Sequence, residues 1–526
     1  MPFEVDLNNV IPALRAGGDN YIEFYEPGGV LRKTISEISI DVITAERSLD
    51  FLALPPRARI GITGATNYQW LVTDLACLAK GNITIPFDPD VTWDRHRITE
   101  QLQLDALFTD RPEYIQGNHR AHTFASICGD DIQQTETSVP AFWDADEPFT
   151  ATFTSGTTGS PKGILVKKRC FDDQFVNAVQ MFSVDENDKM LVFLPFHIYL
   201  ERCFVYLAIL RGFNVVCAPP RFIPKVLRTA GFTFSVGVPQ FFSSLRDLFL
   251  AQARENGRLR LLFELRMLAH RFGLGGLLRR PFPPFQRMLG GRARFFLTGS
   301  ASCPLDVLAF FRDAGIPLYE GYGMSEIAGL IALNYPGNVR LGTVGKLFPN
   351  KELKFTADNQ ILVRGPNVAN SQYWLADEQE NASTFLPDGW VATGDVGHID
   401  RDGYLTLDGR VKDVIVLSTG QKVQPAPIEA QLNQIVGVDN SVVLGTARPY
   451  LVALIAAKRD QLDEHAIEER IRRINETRPD SERVKRFRIL NDTFSAENGL
   501  LNASLKLDRK RVVSTYTNLI QQLYET

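Results

Sequence analysis

The chain has 526 residues, enough for two or more domains. Its 44% hydrophobic and 22% charged content fits a globular protein, and a formal net charge of −4 argues against general nucleic-acid binding. Six cysteines, Cys77, Cys128, Cys170, Cys203, Cys217 and Cys303, stand without C-x-x-C pairs. That pattern speaks against a zinc site or a disulfide framework and for a reducing compartment. Met1–Asp6 has no signal-peptide apolar core, and no apolar run reaches membrane-spanning length, so the expected location is the cytoplasm.

Along the chain, short apolar runs alternate with helical patterns. Arg59–Thr63 reads as a buried strand, Trp70–Ala79 as a helix and Ile83–Pro86 as the next strand, an order that implies a parallel α/β sheet. Two further strands, Phe149–Phe153 and Gly163–Val166, flank a stretch of hydroxyls, glycines and one lysine: Thr154, Ser155, Gly156, Thr157, Thr158, Gly159, Ser160, Pro161 and Lys162. Glycine and proline break regular structure there, leaving N–H groups, hydroxyls and a cation suited to a phosphate chain. It is not a Walker loop, because Gly163 follows Lys162 where a magnesium-binding hydroxyl would stand. The strand–helix–strand pattern recurs over Met190–Leu194, Phe204–Leu210 and Asn214–Ala218.

Arg254–Arg294 is rich in arginine and leucine and poor in acids. It reads either as a solvated surface insertion or as a peripheral attachment to an anionic membrane. Arg294–Leu297 is a strand and Leu305–Ala314 a helix, and after the short strand Ile316–Tyr319 comes Gly321, Tyr322, Gly323, Met324, Ser325, Glu326. Its glycines permit close backbone approach, the ring can stack on a base, Ser325 can donate to phosphate, and Glu326 can hold a hard cation. Near Asp395 the texture changes to a hairpin turning at Asp402–Gly403, then to a small α+β pattern, which places a domain boundary at Gly409–Asp413.

Taken in order, these segments resemble the adenylate-forming superfamily, which includes acyl-CoA synthetases, luciferases and peptide-synthetase adenylation domains. The residues from Thr154 to Lys162 resemble its phosphate loop. Gly299, Ser300 and Ala301 resemble the segment along the adenine, and Thr393-Gly394-Asp395 the one whose aspartate grips the ribose. Gly409 to Asp413 resembles the hinge, with Arg410 near the ribose and Lys412 at the pivot. Leu194 to Arg202 and Glu497 to Arg509 are most similar to long-chain fatty acyl-CoA synthetases. By that match Lys506 is the catalytic lysine, although Asn502-Ala503-Ser504 departs from the usual Thr-Pro-Thr. His197, which in the family lies beside the acyl carboxylate, sits one residue early relative to Glu201-Arg202.

The resemblance implies an α/β fold. A large N-terminal domain with parallel sheets spans 1–409, and a small mobile α+β domain carrying Lys506 spans 410–526, with the active site in the cleft between them. It implies ATP, Mg2+ and coenzyme A as cofactors, with Glu326 on the metal and the hairpin around Gly420 serving the thiol step. The expected reaction is activation of a medium- or long-chain fatty acid to acyl-AMP, then transfer to coenzyme A. Transfer to a carrier-protein phosphopantetheine or to an amine stays open, as does a catalytically silent binding homologue. The acyl pocket is expected from Phe196–Leu207 and Val236–Phe242.

Overall fold

The computed structural model describes residues 4–90, 94–95, 97–127, 139–154, 162–272, 280–368, 372–375, 378–435, 437–457, 464–490, 492–495, 497–501 and 507–525. The chain forms two compact units. One comprises Met1–Ser300, Leu308–Leu353 and Val363–Ala392; the other comprises Ala301–Val307, Lys354–Leu362 and Thr393–Thr526.

The first unit is built on two sheets. In the six-stranded sheet the order is Ala121–Thr123, Ala106–Thr109, Arg59–Thr63, Ile83–Pro86, Pro148–Thr154 and Lys162–Lys167. All neighbours pair parallel except the last two strands, which run antiparallel. The expected strand–helix–strand unit is present: Arg59 pairs with Ile83, and the helix Tyr68–Ala79 crosses between them. That helix starts where Asn67 accepts from the Trp70 N–H at 2.8 Å, and every residue from Trp70 to Ala79 is buried, the one charged group among them being Asp74.

The nine-stranded sheet has parallel neighbours over Tyr21–Glu26, Asn214–Cys217, Lys189–Val192, Phe234–Gly237, Phe295–Thr298 and Leu318–Met324. The helix Tyr199–Arg211 makes the crossover between Lys189–Val192 and Asn214–Cys217. A large core cluster runs from Val5 to Tyr373 in this unit, and Phe242, Phe249, Phe285, Phe296 and Phe311 are buried against one another outside it.

Behind the strand Pro148–Thr154 lies a buried polar network. Arg202 donates to Asp74 at 2.8 Å, to Thr84 at 3.0 Å and to Thr150 at 2.6 Å, while Tyr206 donates to the other Asp74 oxygen. Arg202 and Asp74 are both fully buried. Burial works against the charge on Arg202, but Asp74 and Tyr206 outweigh it and hold the guanidinium above its ordinary value. The network ties two helices to the strand that leads into the hydroxyl-rich stretch.

The second unit has cores of its own. The strands Val438–Leu444, Leu451–Ala457 and Val484–Leu490 form a sheet against the helices Ala426–Leu432 and Glu464–Glu476, with the C-terminal helices on its other face. The strands Val391–Ile399 and Leu405–Arg410 form the expected antiparallel hairpin, closed by Gly403 N–H donating to Asp400 and Asp400 N–H donating to Tyr404.

Candidate active site

The two strands around the hydroxyl-rich stretch pair so that Thr154 faces Lys162 and Phe153 faces Gly163. Residues 155–161, including the expected Ser155, Gly156, Thr157, Thr158 and Gly159, lie outside the described residues. The base of the stretch is fixed from a third side. Gly163 N–H donates to Trp374 at 3.1 Å, and Trp374 N–H donates back at 2.8 Å. A Cβ at position 163 would stand 2.8 Å from the Trp374 ring, so only glycine fits this approach without movement.

Beside Trp374, Tyr373 joins two of the expected residues. Lys162 Nζ lies over the Tyr373 ring, 5.2 Å from its centroid, and the Tyr373 hydroxyl donates to Glu326 Oε1 at 2.6 Å. Both Tyr373 and Glu326 are buried, and Phe385 packs edge-on against the tyrosine ring at 5.1 Å. Sequence reasoning named Lys162 and Glu326 but missed Tyr373. The available signal was the aromatic pair Tyr373-Trp374 in a polar stretch.

Glu326 reaches this place by an unexpected route. The sequence suggests that the strand ends at Tyr319, with the glycines in the loop after it. The strand instead runs over Leu318–Met324, so Gly321, Tyr322 and Gly323 lie within it. The returning strand Gly329–Leu333 approaches so closely that a Cβ on Gly323 would stand 2.0 Å from the Gly329 carbonyl oxygen. The register shifts between Tyr322 and Gly323, as at a β-bulge. Ser325–Ile327 then makes one short turn, closed by Ala328 in the left-handed region, and buries Glu326. Gly299 lies against the same strand, since a Cβ there would sit 3.1 Å from the Gly321 carbonyl oxygen, and Ser300 beside it has φ +68°. Ala301 opens the first segment of the other unit.

His197 stands in the turn before the helix Tyr199–Arg211. Burial holds its imidazole below the ordinary range, against the opposite pull of Asp88 and Asp90. No hydrogen bond among the described residues joins it to Lys162, Tyr373 or Glu326. Its neighbour Glu201 is fully buried, its carboxyl is pushed up to about 8, and its Oε2 has no hydrogen-bond partner among the described residues. Of the expected acyl-pocket residues, Phe242 is sealed in the core against Phe296 and Phe311. Phe204 and Leu207 instead line a small apolar cavity of about 20 Å3, room for about one water molecule, together with Phe182, Phe234 and Phe295.

In the second unit Asp395 and Arg410 face each other across the hairpin, and Arg410 Nε donates to Asp395 Oδ1 at 3.1 Å. Asp395 N–H donates to the Thr393 hydroxyl at 3.1 Å, which steadies the carboxylate's backbone. Lys412 lies in the short turn Val411–Asp413. Gly420, with φ +83°, turns the chain between the paired strands Ile415–Val416 and Lys422–Val423.

Lys506 lies outside the described residues, but both ends of its segment are placed. Leu501 and Leu507 form an antiparallel bridge, and Asp508 N–H donates to the Leu500 carbonyl at 2.9 Å. Arg509 then pairs with Glu429 and donates to the Val443 carbonyl at 3.3 Å. Burial raises the Glu429 carboxyl, against the pull of Arg509 and the hydrogen bond from the Val443 N–H.

Two family patterns match the chain: that of the AMP-binding enzymes over residues 47–374, and that of the AMP-binding enzyme C-terminal domain over 412–526. The chain belongs to the AMP-binding enzyme family. It is an enzyme of the AMP-forming acyl-CoA synthetase class, close to the fatty acyl-CoA ligases. The long-chain-fatty-acid–CoA ligase FadD15 of Mycobacterium bovis is 29% identical over 93% of this chain and 92% of its own. The putative fatty-acid–CoA ligase fadD11 of Mycobacterium tuberculosis is 30% identical over 73% of this chain and 75% of its own. Among solved structures, the o-succinylbenzoate coenzyme A synthetase of Bacillus subtilis, in complex with ATP and magnesium ion, shares the fold. Its TM-score is 0.74 at 20% identity, covering 96% of this chain and 98% of that one.

Proposed function

We propose that this enzyme activates a medium- or long-chain fatty acid with ATP, through an acyl-adenylate, and transfers the acyl group to the thiol of coenzyme A. The observation that carries the reading is the gathering of Lys162, Tyr373 and Glu326 beside the paired ends of the hydroxyl-rich stretch. A magnesium ion fits the donor set. Glu326 offers a buried carboxylate oriented through one oxygen by Tyr373, and magnesium characteristically takes only one or two carboxylates, with phosphate and water oxygens completing its shell. When bound, the ion offsets charge on the phosphates.

In the first half-reaction a carboxylate oxygen of the acid attacks the α-phosphorus. The bond to the bridging oxygen breaks and pyrophosphate leaves. No side chain is covalently modified, so the protein supplies position and charge. Lys162 and residues 154–159 hold the phosphates, and Ser325 donates to them. Gly299, Ser300, Ala301 and Tyr322 meet the base. Asp395, steadied by Arg410, accepts from the ribose hydroxyls. Lys506 neutralises charge at the reacting centre, and Arg509 anchors its segment. In the second half-reaction the thiol sulfur attacks the acyl carbonyl and AMP leaves. The region 410–526 turns about Lys412 between the two halves, withdrawing Lys506 and bringing the hairpin at Gly420 to the thiol's path.

The fatty-acid assignment is supported by the two mycobacterial relatives. Each methylene buried contributes roughly 0.8 kcal/mol, so affinity should climb with chain length until the pocket fills. We place the enzyme in the cytoplasm, peripheral to a membrane. Cys77, Cys170, Cys203, Cys217 and Cys303 are all buried free thiols, which suits a reducing compartment.

The test is carboxylate-dependent ATP–pyrophosphate exchange across saturated, aryl and hydroxy acids, repeated with coenzyme A, carrier protein and amines as acceptors. Octanoate to palmitate should outcompete benzoates. The reverse order would overturn the fatty acid while leaving adenylation intact, and no exchange with any acid would mark a silent binding homologue.

A further inference from the structure

The helix Gly257–Arg271 has two faces of opposite character. Inward, Phe263 is buried, and its ring packs on Phe249, Phe282 and Phe310 at centroid distances of 5.3, 5.4 and 5.2 Å. Arg266 fastens the helix further, donating to the carbonyls of Asp313 and Arg280. Outward, Leu261, Leu262, Leu265 and Leu268 are each about half exposed, and Phe272, which ends the helix, is 73% exposed. At 3.6 residues per turn these five positions fall within an arc of about 120°, on the side away from Phe263. A helix anchored by Phe263 and Arg266 thus presents an apolar stripe to water. A contiguous patch of this kind marks a docking surface far more often than scattered leucines do.

The charge around the stripe says what docks. Arg254, Arg258, Arg260, Arg271, Arg280 and Arg287 are exposed in this region, against two exposed acids, Glu255 and Glu264. Glu264 is already paired with Arg260 at 2.7 Å. The chain as a whole carries −4, so this basic surplus is local rather than a general property. Leucines flanked by arginines match the boundary between acyl chains and anionic headgroups. No helix among the described residues is long and apolar enough to cross a membrane, so any such contact lies on the surface.

We propose that the outward face of Gly257–Arg271 docks on an anionic lipid bilayer, with the leucines at the acyl–headgroup boundary and the arginines on lipid phosphates. The inference deepens the peripheral location read above and does not depend on which acid is activated.

The test uses the full chain in flotation with vesicles of phosphatidylcholine alone or with one quarter phosphatidylglycerol. Binding should be about tenfold or more stronger to the anionic vesicles and should weaken as salt rises. The exposed pair Leu265→Ser/Leu268→Ser should lose most of the binding, and Arg258→Glu/Arg271→Glu should lose the preference for phosphatidylglycerol. Both should keep the wild-type melting temperature and exchange rate without vesicles; should the serine pair fold poorly, the arginine pair alone decides. Equal binding to both vesicle types, or none, overturns the proposal. So does a dimer in ultracentrifugation that the serine pair abolishes, because the stripe would then be covered by a second copy. Vesicle binding needs no turnover, so its failure would leave the reading of acyl activation standing.

Discussion

Tyr373 is the residue on which the site's geometry turns. Its hydroxyl holds one oxygen of Glu326 while its ring lies under Lys162. Tyr373→Phe keeps the ring and removes the donor. A hydrogen bond to a charged group contributes about 1.5–3 kcal/mol, so pyrophosphate exchange should fall about tenfold or more, and the magnesium needed for half-maximal rate should rise. An unchanged magnesium requirement would show that the hydroxyl does not orient the carboxylate. Lys162 and Glu326 were legible in the sequence because each sits in a motif of glycines and hydroxyls. Tyr373 was not, because it stands 47 positions from Glu326 and meets it only through the fold. Glu201 makes a separate, pH-dependent prediction. Its carboxyl titrates near 8 in the folded chain against an ordinary 4.5. The folded state therefore holds a proton that the unfolded state releases between those values, and stability falls as pH rises from 4.5 through 8. Glu201→Gln lacks that loss. Its unfolding free energy in urea should pull ahead of the wild type between pH 5 and pH 8, by on the order of a few kcal/mol at the upper end. A gap that does not change with pH would place a charged Glu201 in the native state.

At the scale of elements, the strand Pro148–Thr154 is held by Arg202 through Thr150 and, at its edge, by the antiparallel neighbour Lys162–Lys167. Arg202→Met leaves Asp74 charged and buried without its partner, and should destabilise the protein by about 3–5 kcal/mol in urea unfolding. Asp74→Leu with Arg202→Met removes both charges and should recover most of that loss. A double variant as weak as the single one would mean that packing, not charge, sets the cost. The parallel strands and their crossover helices were readable from the sequence because buried strands are short apolar runs and the helices between them are long. The reach of the strand Leu318–Met324 through Gly321 and Gly323 was not. Glycine reads as a loop signal, and only the close return of Gly329–Leu333 shows that the missing side chains make room for a neighbouring backbone.

At the scale of the whole molecule, the two half-reactions divide the work of the chain. Lys506→Ala should cut adenylation about a hundred- to a thousandfold and leave thioester formation from supplied acyl-adenylate largely intact. Equal loss in both would remove Lys506 from its assigned role. The α/β class and the smaller C-terminal region were legible from the change of texture near Asp395, whereas the interleaving of segments between the units was not, since chain order carries no record of it. The separate cores have a consequence for how the protein melts. One cluster runs from Val5 to Tyr373, and two others lie within 415–523. Unfolding therefore need not be one cooperative event, and calorimetry should resolve more than one transition. The Glu201→Gln substitution should move only the transition of the larger unit, so the mutation doubles as a label for which peak belongs to which core.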